Sequence, residues 1–411
     1  MSDDAASDGR PSDELLRGLN VCVVYDCLFP LTLGGAERWY RALVDQIVES
    51  GASVTYLTRR QWEHEKPIWS GVTVIDVSAR GELYDAEGIR RIVPALGFGL
   101  GTFAWMIRHR RQYDAVIVAS FPFFSLLAIR GALLGLNTPV FVDFHEVWSS
   151  KYWRSYSGTM TGSLGAVIQL ICIKVTHLAQ VFTFESERQL RSHGYKGDVA
   201  VLAGLLPRGR LDSATSPPRG DKPMVLFVGR HVKHKGVRFL PYIFAEVRRS
   251  IPNIVMTVVS DGPERAKVEE DVRRLGLGDA VTFTGSVSDE QLLNLYQRAA
   301  CTLIPSLREG YGVVVGESVS VGTPVVVANN RENLATTLVE SGINGFVVEP
   351  TIDGMAEGII AAVTAGDSLR QSSLDWSIRK SPLMGMTRST EQMVERLSKM
   401  AIGKSTRRGS S

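Results

Sequence analysis

Two pairs of side chains carry the chemistry that this sequence offers. Arg230 and Lys235 stand five apart, and Glu309 and Glu317 stand eight apart. Two cations spaced across a short loop can hold a diphosphate, because charge-assisted hydrogen bonds contribute roughly 1.5–3 kcal/mol each. Two carboxylates can accept hydrogen bonds from sugar or ribose hydroxyls. Free backbone amides over Gly310, Tyr311, Gly312, Val313 and Val314, at the start of a helix, favour an anion. Such a set suits a nucleoside diphosphate sugar. The spacing alone equally suits a solvated basic loop and two surface glutamates.

The elements that must position these groups are legible in the apolar pattern. CTLIP, from Cys301, is a short apolar run closed by Pro305 and reads as a buried strand. SLREGYG is a polar turn, VVVGESVSVG a helix stopped by Gly322 and Pro324, and PVVVA a second buried strand. The unit is β-loop-α-β, with Glu309 in the loop and Glu317 in the helix. Ligands of open parallel sheets bind on that carboxyl side of the strands. Upstream, MVLFVGRHVKHKGVRFL reads as strand, loop and helix, with Arg230 ending the strand and Lys235 and Gly236 opening the helix.

The totals set bounds. The chain has 411 residues, enough for two cores. With 46 basic and 43 acidic side chains, the net charge of +3 is too mild to argue for nucleic acid. Cys22, Cys27, Cys172 and Cys301 lack metal or redox spacing, so free thiols in a reducing compartment are expected. The acidic first residues are the reverse of a signal peptide, and no apolar run is long enough to span a bilayer. A cytoplasmic protein follows as the expectation. The chain contains no D-x-D, which fits a metal-independent enzyme; no cofactor is expected.

Taken in order, residues 1–17 read as a disordered tail and 18–206 as a first Rossmann-like domain. Residues 207–223 read as a Pro- and Arg-rich linker and 224–375 as a second Rossmann-like domain. A last helix over 376–401 and a frayed tail over 402–411 complete the chain. Strands alternate with helices in both halves, so the fold class is α/β. Asn20–Tyr25 reads as the first strand. Gly34 and Gly35 follow it and would let backbone approach a phosphate or an acceptor, or simply form a tight turn. G-x-G-x-x-G is missing, which counts against a dehydrogenase. Residues 86–111 read as helical and mix aromatic side chains with Arg108, His109, Arg110 and Arg111. That segment is either core-facing with a basic last turn, or an amphipathic surface over 97–111 for an anionic membrane. His145 closes a strand, where it faces the ligand crevice of such a sheet. SSKYWRSYSGTMTGSL, residues 149–164, reads as an acceptor-lining segment or a plain loop. Val181–Phe184 reads as a strand followed by a helix capped at Ser186 or Glu187.

Four motifs give a resemblance. GGAER, FHE, GRHVKHKG and EGYGVVVGE followed by GTPVV resemble those of the retaining glycosyltransferases with the two-domain GT-B fold, in particular family 4. The resemblance covers roughly residues 20–390. It implies two Rossmann-like domains facing across a cleft, with acceptor in the first and donor in the second. By position it implies that Arg230 and Lys235 clamp the diphosphate and Glu317 holds the ribose. It places Glu309 and His145 on the transferred sugar, and Gly35 under the donor phosphates. The base would lie near Gly285-Ser286-Val287. The implied activity is that of a metal-independent hexosyltransferase, with a nucleotide-sugar donor and a hydroxyl acceptor as partners. Peripheral membrane contact or a lipid-linked acceptor remains open. A same-fold epimerase and a non-catalytic sugar-nucleotide-binding protein are the alternatives. One departure from the pattern is Gly316 before the second Glu, expected to soften the helix by about 1 kcal/mol.

Overall fold

The computed structural model describes residues 15–32, 34–207 and 222–408. The expected tail therefore lies outside the described residues up to 14, while Leu16 is already buried and its amide bonds the carbonyl of Ser50 at 2.9 Å. Most of the expected linker, 208–221, also lies outside them.

The chain divides into two compact units. One is built from the chain up to Asp85, Ile89–Ala203 and the chain from Thr387 on; the other from Ala86–Gly88 and Gly204–Met386.

The first unit holds strands β1 (Asn20–Val24), β2 (Ser53–Arg59), β3 (Val72–Ser78), β4 (Ala115–Ala119), β5 (Val140–Asp143), β6 (Leu178–Val181) and β7 (Asp198–Val201). They form one parallel sheet in the order β3-β2-β1-β4-β5-β6-β7. The central strand β4 is apolar and buried throughout, as helices on both faces require. Helix α1 (Gly35–Glu49) buries Trp39, Tyr40, Leu43, Val44 and Ile47 along one face. Helices α2 (Ile92–His109), α3 (Phe123–Ala132) and α5 (Thr159–Val175) bury Phe98 and Met106, Leu126 and Ile129, and Cys172 and Ile173 in one shared core. Each fully buried side chain of that size contributes about 1.5–3 kcal/mol.

The second unit holds β8 (Met224–Val228), β9 (Val255–Val259), β10 (Val281–Gly285), β11 (Cys301–Ile304), β12 (Val325–Ala328) and β13 (Gly345–Val348). Their order is β10-β9-β8-β11-β12-β13, all parallel. Both sheets start next to their centre, run outward, then cross back. That is Rossmann-like winding, and the strand order reverses between β1 and β4 in one sheet and between β8 and β11 in the other.

Several boundaries differ from expectation for local reasons. Residues 86–91 are not helical: Tyr84 bridges Arg90, and α2 starts at Ile92 with Pro94 in its first turn, where a missing N–H is harmless. Residues 149–164 are helix rather than loop: Ser149 caps α4 (Ser150–Ser157) by accepting from Tyr152, and α5 follows. The strand expected at Val181–Phe184 is β6, three residues earlier. Thr183, not Ser186 or Glu187, caps α6 (Phe184–Ser192), its hydroxyl accepting from the Ser186 amide at 2.9 Å. Ser288 and Gln291 form the capping box of α9 (Asp289–Arg298) as the pattern predicts. Near the end, α11 (Ile352–Met384) is broken at Gly366, and α12 (Met386–Arg408) continues through most of the stretch expected to fray. From α12, Gln392 accepts from the Ala203 amide at 2.7 Å and Arg396 pairs with Asp198 at 2.7 Å.

Candidate functional site

Four of the residues singled out by sequence follow β8 and β11 at the reversal, and two of them, Lys235 and Glu309, meet. After β8 the chain passes Gly229 and the exposed Arg230, then two short 3-10 turns, Lys233–Lys235 and Val237–Phe239. The helix expected to open at Lys235 begins only at Leu240, as α7 (Leu240–Ser250). Between the turns, Gly236 is left-handed with φ +70°, and a Cβ there would stand 2.1 Å from the Pro305 carbonyl oxygen. The two loops also join through the Leu307 amide, which donates to the His234 carbonyl at 2.8 Å. Gly236→Ala is therefore expected to destabilise the second unit by about 2–4 kcal/mol, from left-handed strain and a backbone collision together. Chemical denaturation followed by tryptophan fluorescence checks this.

After β11, residues 305–312 form the polar turn and α10 (Val313–Val319) follows, with Gly312 at φ +94°. A Cβ on Gly312 would stand 2.4 Å from that of Ala335. Lys235 Nζ donates to both carboxylate oxygens of Glu309, at 2.7 and 2.8 Å, and Ser306 Oγ donates to Oε1 at 2.7 Å. The Glu309 amide and carbonyl are held too, by Glu332 and Leu334. Asn333 fixes the turn from beneath, its amide nitrogen donating to the carbonyls of Ser306 and Ala328 at 3.0 and 2.9 Å. The carboxylate thus sits in one orientation. On α10, Glu317 accepts from Tyr296 Oη of α9 at 2.9 Å.

The Tyr311 side chain turns away from these groups: it is buried, reaches the Met384 carbonyl at 3.4 Å, and burial pushes its phenol up to about 12. Its contribution is limited to backbone. Gly310, Gly312, Val313 and Val314 complete the turn and the first residues of α10, where backbone amides precede the helix ladder. Gly316 has a packing reason: a Cβ there would meet Leu206 at 2.8 Å and Pro207 at 3.0 Å. The expected softening of the helix is accompanied by close approach of that segment.

Two partners were missed by sequence reasoning. Tyr296 lies 21 residues before Glu317 and carried no motif signal. Ser306, three residues before Glu309 in the same turn, carried no motif signal either.

His145 and Gly35 lie in the first unit. Gly35 is the first residue of α1, behind an extended Gly34. Glu37, in that first turn, is held above the usual carboxylate range by burial. His145 follows β5 by two residues, half-buried, stacked on Phe182 at 5.3 Å and edge-on to Tyr40 at 5.9 Å. Its Nε2 is buried and meets no hydrogen-bond partner among the described residues. Burial lowers its pKa to about 4, opposed by the neighbouring Glu146. The ring is therefore neutral near pH 7. Nearby Asp143, which accepts from Trp39 Nε1 at 2.8 Å, is raised by burial to about 7.

These shifts have opposite signs for stability. His145 takes up its proton in the unfolded chain near 6.5 but in the native chain only near 4, so stability is lost as pH falls through that window. Asp143 holds its proton in the native chain up to about 7 but releases it near 3.8 when unfolded, so stability is lost as pH rises through that range. His145→Phe is expected to remove the first loss and leave the second. Denaturation midpoints from pH 4 to 7 check this, and an NMR titration should find the His145 ring neutral at pH 5.5.

Among the described residues, no group of three or more His, Cys, Asp or Glu could hold a metal ion. No described helix is long and apolar enough to cross a membrane. The four cysteines are buried and free.

Both units are thus Rossmann-like α/β, and in the second the Lys235–Glu309 pair lies at the strand reversal. Residues 210–373 match the model of the family described as glycosyl transferases group 1. The chain is 26% identical over 335 residues to alpha-D-kanosaminyltransferase of Streptomyces kanamyceticus, covering 75% of this chain and 85% of that one. Among solved structures it resembles sucrose-phosphate synthase from Thermosynechococcus elongatus, with a TM-score of 0.78 and 20% identity over 94% of this chain and 100% of that one. It also resembles the Anabaena protein HepE, solved with UDP and glucose, with a TM-score of 0.68 and 16% identity over 92% of this chain and 99% of that one. These neighbours give the GT-B fold of two Rossmann-like domains.

Proposed function

We propose that the chain moves a hexose-type sugar from a nucleoside diphosphate sugar to a hydroxyl acceptor, with retention at the anomeric carbon. The observation that carries this is the Lys235–Glu309–Ser306 cluster at the β8/β11 reversal, with Glu317 presented by the same turn-helix unit. The bond from the anomeric carbon to the donor phosphate breaks, and the electron pair leaves with the diphosphate. Arg230 and Lys235 stabilise that charge, a role that elsewhere accounts for about 10²–10³ in rate per donor. A departing phosphate oxygen takes the acceptor proton on the face where the new bond forms. Glu309 is engaged at both oxygens and acts as a fixed acceptor for sugar hydroxyls, not as a covalent nucleophile of the glycosidase kind. Glu317 anchors the ribose. For His145 we retain the part of a neutral hydrogen-bond donor to the sugar, since its ring is uncharged near pH 7.

UDP is the first nucleotide to try, because the HepE neighbour was solved with UDP and glucose. The test is incubation with UDP-glucose and a panel of hydroxyl acceptors, followed by NMR of the product's anomeric coupling. An axial linkage from an axial donor supports the proposal. An inverted linkage, or epimerised donor without transfer, contradicts it.

A further inference from the structure

The first unit carries an apolar face that its described residues leave exposed. On α2 the side chains of Val93, Leu96, Leu100, Phe103 and Ile107 follow one another at three- and four-residue steps, and all are exposed, Val93 at 81%. On α5, Met160, Leu164, Val167 and Ile171 do the same, with Met160 at 87%. These are outward stripes: the same helices bury Phe98, Met106, Cys172 and Ile173 inward. Helix α3 lies on the same core between the two and ends beside Leu134, itself 75% exposed. Single exposed apolar residues are ordinary, but two parallel stripes on one sheet face are not.

The charge on this face has one sign. None of α2, α3 or α5 contains an Asp or Glu, in a chain whose acids and bases nearly balance. Each stripe runs into cations at its carboxyl end: Arg108 and Arg111 beyond Ile107, and Lys174 beyond Ile171. All three helices are crossovers between parallel strands, so these ends lie at the same edge of the sheet. Asp114, the first acid in sequence after α2, accepts from the Asn20 amide at 3.0 Å.

We propose that this face docks on an anionic phospholipid surface, with the α2 and α5 stripes at the headgroup boundary and the arginines and Lys174 on lipid phosphates. No described helix could span the bilayer, so the contact is peripheral. A second copy is the weaker occupant, because a two-fold contact would set this acid-free face against itself. The inference stands on the first unit and is independent of the donor assignment.

Co-sedimentation with vesicles tests it, using phosphatidylcholine alone and phosphatidylcholine mixed with phosphatidylglycerol, at low and high salt. Wild-type chain is expected to bind the mixed vesicles and to be released by salt. Arg108→Gln with Arg111→Gln should lower the partition constant about 30-fold. Leu100→Glu with Val167→Glu should abolish binding while leaving the thermal transition in place, since both positions are solvent-facing. Equal binding by wild type and both variants, or none by wild type, overturns the proposal. So does a dimer in sedimentation equilibrium that the Glu variant dissolves.

Discussion

Lys235→Ala is expected to lower kcat/KM by about 10²–10³. Two losses combine. The developing diphosphate charge loses a cation, and Glu309, whose side chain is 12% exposed, loses the ammonium that holds both its oxygens. A largely buried carboxylate without its partner loses its fixed orientation. Glu309 should therefore couple to Lys235: the double alanine variant should cost less than the sum of the two single ones. Lys235→Arg should restore the charge but not the point-like fit of one ammonium between two oxygens. Steady-state release of nucleoside diphosphate, measured for the four variants, checks this. Additive losses would mean that the pair does not act as a unit.

Glu317→Ala is expected to weaken nucleotide binding by about 10–150-fold, the equivalent of roughly 1.5–3 kcal/mol for hydrogen bonds to a charged acceptor. The loss should appear with the free nucleoside diphosphate, before any sugar is present. Tyr296→Phe removes only one neutral donor to the same carboxylate and should cost about 0.5–1.5 kcal/mol. Calorimetric titration separates the two. An affinity within twofold of wild type for Glu317→Ala would move the ribose elsewhere.

The fold was legible because buried parallel strands are nearly continuous apolar runs, and β1 from Val21 on and β8 are of that kind. The site was legible where motif residues lie close in sequence, as with Glu309 and Glu317. What could not be read were contacts that exist only because the strand order reverses. Lys235 precedes Glu309 by 74 residues, and only the β8/β11 adjacency makes them an ion pair. Tyr296 reaches Glu317 for the same kind of reason, from the helix before β11. Helix starts were misplaced where side-chain capping decided them: Thr183 was read as strand because its β-branched side chain suits one. The apolar stripe on α2 was half visible, its aromatics and arginines being obvious. Its partner on α5 was not, since one stripe of outward apolar residues in a helix looks the same as a buried one until the inward face is known.

The most direct test of the central claim is a thermal-shift panel of UDP, GDP, ADP and TDP on wild type, Glu317→Ala and Arg230→Ala. A nucleotide at ~100 times its dissociation constant stabilises the fold by ~2.7 kcal/mol. We predict that one nucleotide raises the melting temperature of the wild type and that both substitutions abolish the rise. A rise that survives both substitutions, or no rise with any of the four, would contradict the placement of the donor at the β8/β11 reversal.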